Sequence, residues 1–340
     1  MIKKFIKNLL IIIILISSLN TRFAFSKNNE TSNDFHYGIL CYEYDHIPGY
    51  CPDVVNLGDY IQSLAAIQFL PKDIKYVLMP RDSLGDYKGK DNINVKLIMN
   101  GWFFLNRRNK VLDKSIDPIY VSFHINNEEE LTDDAVNYLK KYEPIGCRDF
   151  NTEAILINKG IRAYFSGCLT TTLDIDYKLE DNERTDDIVF CDYKFGDYPD
   201  ADKYLRNLKN YNFKNIIFTR HEFLKKSTTH EERFNEAINL LNLYAKAKLV
   251  VTTRLHCALP CLALGTPVIL VNKNYDYKRF SGLYCLLNTI GIDSSGNFTV
   301  DVEKDKDGYV KNSNAYKHYA DKLKFKVKEC LKTNMFCKGF

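Results

Sequence analysis

Two residues in the stretch VVTTRLHCALPCLALGTPVIL (250–270) are poor core material placed between strongly apolar runs: Arg254 and His256. Arg presents a fixed fork of donors that suits a phosphate or a carboxylate. His exchanges a proton near neutral pH. Two apart at the end of an extended segment, they fall on the same side of the backbone. The pattern predicts an anion site with an acid or base beside it, unless His256 merely caps a helix and Arg254 pairs with a surface acid.

Other polar residues stand at comparable places. In NLGDYIQS (56–63), Asn56 and Gly58 open a helix and Asp59 follows. The glycine permits close backbone approach to a ligand, and the acid either caps the helix or acts on a hydroxyl. In IGCRDFNT (145–152), Arg148 and Asp149 precede a helix as a ligand pair or as a local ion pair with a cap. His221, in FTRHEF, touches a ligand or closes a turn. Lys278 follows the strand after the Arg254/His256 segment, and Trp102 is either a stacking platform for a sugar or packing.

These residues need elements to hold them. From about residue 37 the chain alternates apolar runs of strand length with helical periods. Strands read at 37–44, 74–80, 95–100, 119–125 and 163–167, with helices over 56–70, 132–143 and 151–160. A polar stretch, 176–187, reads as a linker. The alternation then resumes with strands at 188–193, 215–222, 248–253 and 267–271, and helices over 230–247, 256–265 and 280–291. Strands separated by helices argue for parallel sheets covered on both faces. The expected class is α/β, two Rossmann-like domains facing each other: 36–175 and 188–312, with a C-terminal helix in 313–340 packing back on the first. In such sheets ligands bind beyond the carboxyl ends of the strands. Asp59, Asn100, His124, Arg148, Asp149, His221, Arg254 and His256 all belong there.

A chain of 340 residues with 45% hydrophobic and 26% charged residues can build a large core. Its formal net charge of +4 is mild and dispersed, giving no footprint for nucleic acid. Residues 1–26, with Lys3, Lys4 and Lys7 before LLIIIILISSL, read as a signal peptide or an uncleaved signal anchor. The lysines favour the cytoplasmic side, which puts the body of the protein in a secretory lumen, a periplasm or outside the cell. The ten cysteines form no tight metal-type pairs, so no metal site is expected. Cys41/Cys51 and Cys330/Cys337 are candidate disulfides in an exported protein. Asn29 and Asn297 begin glycosylation triplets, which are common by chance.

The segments NLGDYIQSLAA, GCRDFNT, YFSGCLTTTLD and TTRLHCALPCLALGTPVILV resemble the polysaccharide pyruvyl transferase family, over about residues 37–290. The resemblance implies a fold like the glycosyltransferase B class. It implies transfer of a pyruvyl group from phosphoenolpyruvate to two hydroxyls of a saccharide, giving a ketal and free phosphate, with no further cofactor. On this reading Arg148, Arg254 and Lys278 hold the donor, His256 is the acid, and Asp59 or Asp149 is the base. Asn56, Gly58, Asp149 and His221 complete the binding surface. Fungal relatives in the secretory pathway fit an exported enzyme, although phosphoenolpyruvate is made in the cytosol. A cytoplasmic enzyme tethered at the membrane by the N-terminal run is the alternative. A glycosyltransferase using a nucleotide sugar, or a non-catalytic carbohydrate-binding protein, would show the same alternation, since fold does not fix function.

Overall fold

The computed structural model describes residues 35–44, 53–71, 76–89, 94–103, 111–173, 183–225, 228–272 and 276–332. The expected signal segment, Asn29, Cys51 and Cys337 lie outside them, as does most of the 176–187 stretch. No helix among the described residues is long and apolar enough to cross a membrane.

The first half of the chain runs β1 (Phe35–Cys41), β2 (Val54–Asn56), α1 (Leu57–Ile67), β3 (Tyr76–Pro80), β4 (Asn94–Ile98), β5 (Gly101–Trp102), β6 (Ile116–Ile119), β7 (Phe123–His124), α2 (Asp133–Leu139), β8 (Ile145–Cys147), α3 (Phe150–Asn158) and β9 (Ala163–Phe165). The second runs β10 (Ile188–Cys191), α4 (Pro199–Arg206), β11 (Ile216–Thr219), β12 (Glu222–Leu224), α5 (His230–Lys246), β13 (Leu249–Thr252), α6 (Leu255–Leu264), β14 (Val268–Asn272), α7 (Tyr277–Phe280), β15 (Asn288–Ile292), β16 (Phe298–Asp301) and α8 (Ala315–Lys332).

The second half forms one six-stranded sheet, β11-β10-β13-β14-β15-β16, parallel except for β16. The first half forms two four-stranded parallel sheets, β3-β1-β4-β6 and β5-β7-β8-β9. Hydrogen bonds bridge the break between them. Met99 N donates to Ile119 O (2.8 Å), Gly101 N to Ser122 O (3.3 Å) and Gly146 N to Tyr120 O (3.1 Å). β4 thus continues into β5 and β6 into β7, with the offset taken up at Asn100 and at Ser122 (φ 55°). The single strand expected over 119–125 is divided by that residue.

Alternation within each central strand explains why the strands read as unbroken apolar runs. Val189, Cys191, Val250, Val268 and Leu270 face a core shared with residues of the first half, including Ile39, Ile61 and Leu97. Their neighbours Ile188, Phe190, Leu249, Val251, Ile269 and Val271 face a second core on the opposite side. A parallel sheet buried on both faces has no polar face to display.

The helix expected over 280–291 is corrected. α7 stops at Phe280, Gly282 has φ 77°, Tyr284–Leu286 form a 3-10 turn, and Asn288–Ile292 are strand β15. The apolar run was compatible with either state. The ladder with β14 and the bonds from Asn288 Nδ2 to the Val268 and Lys311 carbonyls decide for strand. Cys41, expected in a disulfide, is a free thiol 1% exposed at the core end of β1, and burial pushes it up to about 12. Cys330 is disulfide-bonded to a partner outside the described residues.

α8 lies against the first half. The Tyr319 and Phe165 rings meet edge-on at 5.1 Å, and Lys96 Nζ donates to the Leu331 carbonyl at 3.2 Å. Leu323, 2% exposed, is among the apolar anchors of the helix. Leu323→Ala should destabilise the chain by about 2–4 kcal/mol, the usual cost of a buried Leu-to-Ala truncation. The check is the midpoint of urea unfolding, which should fall with the slope unchanged.

Candidate active site

In each half the strand order turns outward in two directions from one strand: from β1 towards β3 and β4, and from β10 towards β11 and β13. Such a reversal opens a crevice beyond the carboxyl ends of the two central strands. Tyr44 follows β1 with φ 58°, and Asp192 follows β10 with φ 50°. A left-handed backbone at a non-glycine residue is uncommon and gathers at sites where surrounding structure enforces it.

A two-stranded antiparallel ribbon joins the halves. β12 pairs with β2, with Glu222 opposite Asn56, and Leu57 N donates to the His221 carbonyl at 2.8 Å. This ribbon delivers the start of α1 to the opposite half. Asn56 is the N-cap, its Oδ1 accepting from Gly58 N at 3.0 Å. A Cβ on Gly58 would stand 2.8 Å from His221 Nδ1 and 3.1 Å from His256 Cβ. Glycine is therefore required by close approach to two histidines. Asn56, Gly58, His221 and His256 are brought together.

Asp59 turns the other way, into the first half. Its carboxylate accepts from Tyr44 Oη and, at 2.9 Å, from Gln62 Nε2. Arg81 NH1 stands 3.8 Å from it, stacks over the Tyr42 and Tyr44 rings, and pairs with Asp82 at 2.8 Å. Burial pushes the Asp59 carboxyl up, partly offset by Arg81 and Tyr44.

Arg254 and His256 separate at the start of α6. Arg254 is the extended N-cap residue, and His256 already lies in the first helical turn. Arg254 Nε bonds Asp192 Oδ2 at 2.7 Å, NH2 lies 3.8 Å from Glu222 Oε1, and the side chain is 39% exposed. His256 is buried, and its Nε2 has no hydrogen-bond partner. Burial holds its pKa well below the usual value, reinforced by Arg148, His221, Arg279 and His124. The imidazole is neutral in a cationic surrounding.

Arg148 and Asp149 enter beside it from the end of β8. Asp149 caps α3, accepting from Thr152 N (2.9 Å) and Oγ1 (2.8 Å). Its other oxygen lies 2.6 Å from His124 Nδ1 and 3.4 Å from Arg148 Nε, and the residue is wholly buried. Burial pushes the Asp149 carboxyl up, but these partners outweigh it and hold it below the usual range. His124 is pulled down to about 4 by burial and Arg148, against Asp149. Oδ1 is committed to Thr152, while the buried Oδ2 lies at ion-pair distance from His124 and Arg148 and makes no hydrogen bond among the described residues.

His221 is 1% exposed, its Nε2 3.0 Å from Tyr244 Oη. Its amide donates to Asp192 Oδ2 (3.1 Å). Lys278, expected on the ligand, donates from Nζ to Asn127 Oδ1 at 2.6 Å and is exposed. Its neighbour Arg279 is the α7 cation that bears on His256, His124 and Arg148. The Trp102 indole lies beside His124, ring centres 6.0 Å apart and tilted 55°. Tyr44, Arg81, Asp192 and Arg279 were not singled out from sequence. The acid that directly follows the apolar run IVFC was the one available signal for Asp192.

The geometry is a buried neutral imidazole ringed by cations between two helix N-termini, with a buried carboxylate nearby. It suits binding of a multiply charged anion with proton exchange. Among solved structures, a functionally uncharacterised protein, KP1_0663, of Klebsiella pneumoniae is 15% identical, covering 76% of this chain and 93% of its own, with TM-score 0.44. S. aureus MnaA bound to UDP is 10% identical over 77% and 85%, TM-score 0.37. E. coli heptosyltransferase WaaC with ADP is 12% identical over 86% and 99%, TM-score 0.26. No curated protein sequence matches. The profile of the polysaccharide pyruvyl transferases matches residues 56–275, from the cap of α1 to the residues before α7. On the strength of that match, which spans well over half of its length, the chain is a transferase and belongs to the polysaccharide pyruvyl transferase family.

Proposed function

We propose that the chain transfers the pyruvyl group of phosphoenolpyruvate to two hydroxyls of a saccharide, across a crevice between two Rossmann-like halves arranged as in the glycosyltransferase B class. The observation that carries this reading is His256: buried, without a hydrogen-bond partner at Nε2 among the described residues, and under the influence of the Arg148 and Arg279 cations. A phosphate and a carboxylate on one small molecule would supply the negative charge that this surrounding lacks.

One hydroxyl adds to the enol carbon while the methylene carbon takes a proton. The second hydroxyl then displaces phosphate and closes the ketal. Arg148, Arg279 and the free amides at the start of α6 hold the donor's anionic groups. Arg254, tied to Asp192 and Glu222, forms the wall of the site, and Lys278 its rim. His256 delivers the proton once the bound anion has raised its pKa. Asp149, whose Oδ2 lies beside Arg148 and His124, or Asp59 receives the proton of the attacking hydroxyl.

His256→Ala should lower kcat by about a hundredfold to ten-thousandfold, the usual worth of a positioned acid or base, with the fold intact by circular dichroism. Arg279→Ala should raise the KM for phosphoenolpyruvate by about tenfold or more, the loss of one charged hydrogen bond. Lys278→Ala should do less. Phosphate release with phosphoenolpyruvate and a glycan acceptor is the readout, with pyruvylated product identified by mass. Release of nucleotide from a nucleotide sugar instead would sink the assignment.

The proton role has its own check. Free His256 should titrate below its ordinary 6.5, and bound phosphoenolpyruvate should move that titration upward, as an NMR titration of the imidazole would record. An unmoved titration would remove His256 from the acid role.

A further inference from the structure

Behind His256 lies a cluster that the proposed reaction does not use. Cys191 ends β10, His221 stands just before β12, Tyr244 lies in α5, and Cys257 follows His256 in α6. The two sulfurs and an imidazole nitrogen of His221 all lie within 4.8 Å of one another. Tyr244 Oη is 3.2 Å from Cys191 Sγ and 3.0 Å from His221 Nε2. Cys191, Tyr244 and Cys257 are 0% exposed and His221 1%. The spacing 191, 221, 257 carries no sequence signature; the fold alone gathers these residues.

We propose that Cys191, His221 and Cys257 bind a structural zinc ion, with the Tyr244 hydroxyl as fourth ligand. Tetrahedral bonds of about 2.3 Å to sulfur and about 2.0 Å to nitrogen imply ligand-to-ligand edges of roughly 3.3–3.8 Å. The edges at Tyr244 need to open by only a few tenths of an ångström. Two thiols lose two protons to solvent as one Zn2+ enters, so two thiolates, a neutral imidazole and a neutral phenol leave the site with no net charge. That balance matters in a core where an uncompensated charge costs several kcal/mol. Without a cation both groups stay thiols: Cys191 is pushed up by Cys257 and by burial, and Cys257 by burial, reinforced by Cys261. Four protein ligands leave no open position, so the ion is structural and takes no part in group transfer.

The placement gives the ion a task. Cys191 is bonded to Asp192, which holds Arg254. Cys257 is bonded to His256, and the His221 carbonyl holds the start of α1. One ion would fix the three segments on which the site is mounted. This inference stands independently of the donor, because it concerns the scaffold alone.

The test is metal analysis of the full chain, expressed with zinc and purified without chelator. About one zinc per chain is expected, as for a closed structural site. Cys257→Ser and Cys191→Ser should each lose most of it, and Cys285→Ser, at an exposed free cysteine, should keep it. Chain produced with cobalt should show thiolate-to-cobalt charge transfer and the visible bands of tetrahedral Co2+. That measurement needs no variant and survives a failure of the serine chains to fold. Less than about a tenth of an equivalent of zinc with no cobalt spectrum, far from a closed site's stoichiometry, overturns the proposal. So does a Cys191–Cys257 disulfide in the freshly isolated chain.

Discussion

The Leu57 amide and the His221 carbonyl, 2.8 Å apart, tie the first half of the chain to the second at the candidate site. One belongs to the first residue of α1, the other to the turn before β12. Around that bond β2 and β12 form a ribbon of three residues each, too short to be stable alone. It persists because α1 packs its buried side chains into the core shared by both halves, including Ile61, Ala65 and Leu259 of α6. Gly58 is the consequence. With His221 and His256 this close, any side chain at position 58 would push apart the two elements that carry the site.

The electrostatics follow from how the acids are spent. Asp149 is committed to His124, Arg148 and Thr152, and Asp192 to Arg254 and the His221 amide. Each buried carboxylate positions a cation or a ring. None is among the groups that most affect His256. After burial, the groups that hold the imidazole's pKa down are Arg148, His221, Arg279 and His124.

Much of this architecture was readable, for reasons particular residues make plain. β10, β13 and β14 are apolar on both faces because both faces are buried, and their ends fall where polar residues begin. Asp149, read as a cap before a helix, is the N-cap of α3. What was hidden depends on register and distance. Whether Arg254 and His256 share a side turns on one residue, since a helix starting at Leu255 sends them to different partners. β15 was lost because LLNTIG suits either state until β14 is beside it. His124 and Asp149 are linked only because β7 and β8 are adjacent, and Arg279 was masked by the more suggestive Lys278.

The two left-handed residues show where a cost in stability is placed. Asp192 directly follows β10 and Tyr44 lies three residues beyond the end of β1, each after the strand from which its sheet reverses order. The Tyr44 amide is held by Asp82 Oδ2 at 2.9 Å, and its hydroxyl by Asp59. Asp192 donates from its amide to Thr219 O at 2.9 Å and accepts from Thr253 Oγ1 at 2.9 Å. Each backbone is fixed by partners on a neighbouring strand end. In each case the side chain meets a partner within its own half, Tyr44 meeting Asp59 and Asp192 meeting Arg254. An unstrained residue there would continue the strand direction, and neither Asp59 nor Arg254 would have its partner. Strain of order 1–3 kcal/mol at each position is thus tied to the reactive geometry.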